Sequence, residues 1–401
     1  MANGNWRGKM NKNATIFTAA AVVIVVVLFA SFIATYKGED PQEPSIVGGW
    51  ESVYEYNGGW LEGHPIYSES PLSGQHANIT NYKDDFYVFD TGSEKLYCSW
   101  DGNKMVTAGL KGSSDVAFIS QLQEDKNFLT VSYFIDDKAV IELYKRAGYV
   151  GKFPGLSIPG DIPGEGSVID SYKLREYTEE GYKDIGVNTM SIESVEGRMI
   201  FYDVVGTDGY TAEYIGLYLD SGMFLSLGVN DSGSAFEIMQ YRTGVFYCST
   251  MIHDTGDIWV TEYGDKSSAS YPEKNLYGCN YLGVEDALVF KDGKITEKIF
   301  GNAIDLRVLM QDDGCLRIAT LDWTGNEDAI WTALYYDLRP LHYCGMFVQS
   351  SIEYKGVTYH GLYFGQFDSK DCDELYISGL LHGEDGGNIV ISQQYALQGT
   401  T

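Results

Sequence analysis

A plan of strands that recurs three times along the chain does most to limit its fold. FYVFDTGSEKLYCSWDGNKMVTAGL (Phe86–Leu110), IFYDVVGTDGYTAEYIGLYLDSGMFLSLGV (Ile200–Val229) and DLRVLMQDDGCLRIATLDWTGNEDAIWTALYY (Asp305–Tyr336) share it. Each runs apolar strand, Gly/Asp turn, second strand, polar turn, third strand. A second element follows in each copy: Phe128–Arg146, Val245–Tyr263 and Leu375–Tyr395 are alternating strands that turn at Asp or Gly and return to end near Tyr. Alternation with period two predicts one buried and one wet face, as in hairpins and meanders. Aromatic residues at 14% and 46 Gly, with hardly any Ala/Leu/Glu/Lys-rich tract, place the chain in the all-β class.

Breaker-rich segments cut the chain into units. Residues 37–45 read as a stalk, and residues 148–166, which contain GKFPGLSIPGDIPGEG, as a Pro/Gly linker; 265–274 is a second linker. The β units are then 46–147, 167–264 and 275–397. A period of about 110 residues is too long for one propeller blade or solenoid rung. Two architectures fit: three tandem antiparallel meander barrels, or a six-bladed β-propeller with two blades per period. The Pro/Gly linker favours the barrels.

The N-terminus carries a different signal. Residues 1–13 hold Arg7, Lys9 and Lys12, and the uncharged run ATIFTAAAVVIVVVLFASFIATY follows over 14–36. As a helix it would span about 34 Å, enough to cross a hydrocarbon core. Cations precede it and acids follow, so residues 1–13 are expected in the cytoplasm and the β units outside. No small-x-small cleavage site follows the apolar core: Ala34 is preceded by Phe32, Ser31 by Phe29 and Ala30 by Leu28. This predicts an uncleaved signal-anchor in a cell membrane.

Net charge is −28, which repels the phosphates of nucleic acid and sets that partner class aside. Six cysteines (Cys98, Cys248, Cys279, Cys315, Cys344, Cys372) allow 15 pairings in an oxidising compartment, and none forms the Cys-x-x-Cys pair expected of zinc. The sequons at Asn78 and Asn230 are candidate glycosylation sites.

Motifs for catalysis are not visible. The six histidines show no metal-ligand spacing, and neither a Gly-x-Ser-x-Gly elbow nor a phosphate-binding loop occurs. SWDGNKM (Ser99–Met105) reads as an Asp-Gly hairpin turn. Paired carboxylates for glycoside hydrolysis would need a fold to single them out among 56 acids. The loop FDSKDCDE brings Asp368, Asp371, Asp373 and Glu374 together as a Ca²⁺ candidate; no other cofactor is expected.

The first unit opens on VGGWESVYEY. Gly48-x-Trp50 heading a strand, followed by a meander over 47–146, resembles the lipocalin-like (calycin) β-barrels. That resemblance implies a barrel whose base is plugged by Trp50, with Gly48 and Trp50 as structural residues and a cup for a small apolar ligand. Gly-x-Trp is missing where the other units begin, near Tyr172 and Tyr281. The expected role is non-catalytic binding or surface structure, with an extracellular protein or glycan as partner. Two alternatives are a small-ligand or lipid-binding lipocalin-like receptor and a propeller-type glycan-processing enzyme.

Overall fold

The computed structural model describes residues 46–398, apart from 101–103, 109–115, 159, 179–180, 208, 221, 230–234, 253–257, 270–275, 293, 313–314, 322–329, 337–345, 349–350 and 368–371. The expected anchor (14–36) and stalk (37–45) lie outside the described residues. Among those described, no helix is long and apolar enough to cross a membrane.

Strand-forming runs punctuated by tight turns make three antiparallel sheets. The first holds β1 (Gly48–Leu61), β2 (His64–Pro71), β3 (His76–Lys83), β4 (Phe86–Asp90), β5 (Lys95–Trp100), β6 (Met105–Ala108), β7 (Val116–Gln121), β8 (Phe128–Ile135) and β9 (Lys138–Arg146). The second holds β10 (Val168–Thr178), β11 (Gly181–Asp184), β12 (Asn188–Glu196), β13 (Met199–Gly206), β14 (Thr211–Asp220), β15 (Met223–Val229), β16 (Ala235–Arg242), β17 (Val245–Ile252) and β18 (Ile258–Gly264). The third holds β19 (Asn280–Lys291), β20 (Lys294–Asp312), β21 (Cys315–Leu321), β22 (Ile330–Tyr336), β23 (Met346–Val348), β24 (Ser351–Tyr354), β25 (Val357–Phe367), β26 (Glu374–Gly383) and β27 (Asn388–Leu397).

Neighbours follow chain order, as in a meander, and the first strand closes on the last: β1 on β9 and β10 on β18. β2 and β3 both pair with the same side of β1, one with each half, so together they form one broken stave. β11 and β12 do the same on β10. The first two sheets are therefore closed eight-stranded barrels. In the third, β19 pairs with β27, but among the described residues no ladder joins β23 to β24, and the barrel stays open there. Blades of four strands, which a propeller would need, do not occur among these sheets.

The turns explain the sharp reversals. Asp136 and Asp137 (φ 45° and 56°) and Lys355 and Gly356 (φ 50° and 78°) put both central residues in the left-handed region. That is the two-residue hairpin geometry whose twist matches the flanking strands.

Two expectations need correction. Alternation was expected to leave one strand face wet, yet β8 and β15 are buried on both faces. Inward residues of the first barrel, Leu129, Val131 and Tyr133 among them, form one cluster. Their outward neighbours Phe128 and Phe134 join Phe201, Leu217 and Leu225 of the second barrel and Leu288, Leu380 and Val390 of the third in a shared core. Thr130 and Ser132, polar positions of the alternation, are 1% and 3% exposed, and Thr130 is hydrogen-bonded to Ser120 at 3.2 Å. The polar alternates face another barrel, not water.

The second correction concerns the repeat. Phe86–Leu110 and Ile200–Val229 cover β4–β6 and β13–β15, the third to fifth staves. Asp305–Tyr336 covers the end of β20 with β21 and β22, the second to fourth, so that alignment is one strand out of step. Successive hairpins of a meander share one pattern, and a slip by one strand leaves no trace in hydropathy.

The Pro/Gly segment after β9 lies across both closed barrels. Phe153 packs on Phe128 with ring centroids 5.1 Å apart, Tyr149 donates to Asp125 at 2.8 Å, and Ile158 and Ile162 pack against the interior cluster of the second barrel.

Candidate functional site

The base of the first barrel is built from both of its ends. Trp50, at the start of β1, is 0% exposed and donates its indole N–H to the Ile46 carbonyl at 2.8 Å. Arg146, at the end of β9 and paired with Trp50 in the ladder, lays its guanidinium 4.4 Å from the ring centroid. The same guanidinium donates to the Val47 carbonyl at 3.2 Å. Gly48 has φ +131°, which favours glycine, and a Cβ there would stand 3.0 Å from Arg146 Nη1, so the guanidinium would have to give way slightly. Gly48 and Trp50 thus pack as one unit with Arg146, the member that sequence reasoning missed.

Around Trp50 the interior is occupied. Phe89, Leu129 and Tyr144 fill it, and Glu142 (3% exposed) lies among them, accepting from the Tyr133 hydroxyl at 3.0 Å and the Tyr144 hydroxyl at 2.7 Å. Burial, and then the Glu142 charge, push both phenols well above their ordinary range. In the second barrel Glu237 accepts from Tyr202 and Thr250, each at 2.6 Å, and Tyr202 stacks on Tyr214 at 5.1 Å. Burial pushes the Glu237 carboxyl up, and its two donors offset this in part. The third unit repeats the theme: Gln393 donates to Glu285 at 2.5 Å and accepts from Tyr395 at 3.0 Å. A buried polar group stays in a core only when its partners are present, and these centres fix side chains within each barrel.

The acidic loop is only partly described. Asp373 and Glu374 are exposed at the start of β26, and Glu374 accepts from the Tyr376 hydroxyl at 3.2 Å; Asp368 and Asp371 lie outside the described residues. Among the described residues no three His, Cys, Asp or Glu side chains converge on a metal-sized point. Asn78 is exposed on β3, whereas Asn230 lies outside the described residues. Cys98, Cys248 and Cys372 are buried and Cys279 is half-buried.

A cleft that the sequence did not signal lies at the hairpin end of the third unit. It encloses about 210 Å³ where the β19–β20, β24–β25 and β26–β27 turns meet. Tyr354 and Tyr359 line it with Val289, Phe290 and Val357, and two ion pairs cross its walls. Lys291 Nζ is 2.6 Å from Asp385 Oδ2, and Asp385 also accepts from the Gly387 N–H at 2.9 Å. Lys355 bonds to Glu297 while its ammonium lies 5.0 Å from the Tyr354 ring centroid. Those hydrogen bonds hold both lysines above and both carboxyls below their usual ranges. The residues come from three separate turns, and only closure of β19 on β27 gathers them.

No family model and no curated protein matches this chain. Among solved structures, a Nostoc punctiforme protein of unknown function from the DUF3598 family is similar over 58% of this chain and 95% of its own, at 10% identity and a TM-score of 0.30. A transferrin binding protein B variant from Haemophilus parasuis matches over 88% and 76%, at 8% identity and 0.22. The isotype 1 transferrin binding protein B of serogroup B Neisseria meningitidis covers the same shares at 11% identity and 0.18. At these scores the likenesses establish neither a family nor a function for this chain.

Proposed function

We propose that the chain is a non-catalytic binding or surface-structural protein, anchored in a membrane through residues 14–36 with its β units outside. The state of the barrel interiors supports this reading. Trp50, Phe89 and Tyr144 in the first barrel, and Tyr202, Phe224 and Tyr263 in the second, are each at most 2% exposed and take up the space a guest would need. A ligand cup is usually a cavity of about 300 Å³ or more with apolar lining. Barrels plugged in this way act as solid bodies, so recognition falls to outer faces and hairpin ends. The charge of −28 turns those faces toward cationic or neutral partners, an extracellular protein or a glycan. Exposed Asn78 would carry a glycan on the same surface.

Two measurements test the reading. A membrane-impermeant amine reagent on intact cells should label lysines between 46 and 401 as fully as it does after lysis; protection in intact cells overturns the outward placement. A fluorescent fatty acid titrated into the purified full chain should give no saturable signal. Saturable binding that is lost on filling the first barrel further, as in Ala117→Phe, would instead establish the lipocalin-like receptor.

A further inference from the structure

We infer that the cleft at the hairpin end of the third unit binds a free α-amino acid with an apolar side chain. Its volume, about 210 Å³, is below the range of about 300–1,000 Å³ typical of drug-sized sites, which limits the guest to roughly the size of one amino acid. Val289 and Val357 supply an apolar wall, with the Tyr354 and Tyr359 rings beside it. Lys291–Asp385 and Lys355–Glu297 place a cation and an anion on each of two walls.

The four charges sum to zero. An anion or a cation entering would leave one protein charge unbalanced, whereas a zwitterion exchanges partners evenly. Its carboxylate takes a lysine and its ammonium takes a carboxylate, so each charge-assisted hydrogen bond is replaced by another. The lysine side chains are 50% and 64% exposed, so both can swing to a ligand without disturbing the core. A neutral zwitterion also approaches this acidic protein without the repulsion an anion meets.

The test is calorimetric titration of the full chain in detergent with L-leucine and L-phenylalanine. Saturable binding is expected, weakened about tenfold or more in N-acetyl-leucine, which lacks the ammonium, and in leucinamide, which lacks the carboxylate. Lys291→Gln and Lys355→Gln should each weaken L-leucine binding to a similar degree while the melting temperature stays within a few degrees of the parent, as expected of surface substitutions. Absence of saturable heat with either amino acid up to about 10 mM would overturn the inference, because it leaves no affinity in the usual range of recognition. So would unchanged binding in both lysine variants. Neither result bears on where the β units lie or on whether the barrels are filled.

Discussion

Gly48 is fixed by backbone and neighbour together, through its φ of +131° and the guanidinium of Arg146. Gly48→Ala is therefore expected to destabilise the chain by about 1–3 kcal/mol in urea unfolding. Trp50→Ala should cost more, about 3–5 kcal/mol, because it empties the base of the barrel. Burial of Trp50 was legible because a large apolar residue follows a turn glycine at the head of a strand. Arg146 was not, since its partner lies at the other end of the unit and only barrel closure joins them. Asp203 makes the same point for charge. Burial, with Glu193 and Glu213 close by, pushes its carboxyl up to about 6, and none of this is encoded locally. The folded state therefore holds a proton that the unfolded chain gives up near pH 4, so stability falls as pH rises from about 4 to about 6. Asp203→Asn should match the parent below pH 4 and melt higher than it above pH 6; coincident melting curves across that window would refute the assignment.

Between strands, the seam that closes the second barrel is polar and dry. Lys173 on β10 lies 2.5 Å from Glu262 on β18, with side-chain exposures of 8% and 0%, and Tyr172 also donates to Glu262. Removing one partner of a buried pair strands the other, so Glu262→Ala should cost about 3–5 kcal/mol. The double variant Lys173→Met, Glu262→Leu should recover most of that loss, and amide exchange along β10 and β18 would report whether the seam opens. Strand type was readable from composition, since β-branched and aromatic residues crowd β4, β9 and β13 between turn residues. The count of staves was harder to see. A stave broken into β2 and β3 reads as two strands, and β20 spans the same position in a single run of 19 residues. Pairing partners decide what counts as one element, and hydropathy does not record partners.

The whole molecule is held by walls that face one another. Phe86, Phe118 and Phe128 of the first barrel are at most 2% exposed, yet they point away from its interior and into the core shared with the other two units. The third barrel meets the first through polar contacts as well: Asp85 accepts from Gln394, and Ser99 is hydrogen-bonded to Ser378. Calorimetry on residues 46–401 should therefore show one cooperative transition, and Leu217→Asp should split it by separating the second barrel from its neighbours. Residues 46–147 expressed alone should aggregate; a soluble, monomeric, folded product would show that the shared core is dispensable. The sequence marked three units because turn signals recur. It could not show that they are fused, because a strand buried on both faces and a strand with one wet face look alike wherever Ser and Thr take the outward positions.

Walls shared in this way change what a repeated unit can become. A barrel tethered only at its ends could be lost, duplicated or exchanged as a cassette. Each barrel here carries on its outside the negative imprint of a particular neighbour, so the three copies are similar in shape and not interchangeable as parts. In the two closed units the inward faces answer to barrel closure, whereas the outward faces of all three answer to a particular companion. A chain assembled from copies of any one unit would keep every hairpin and lose the molecule.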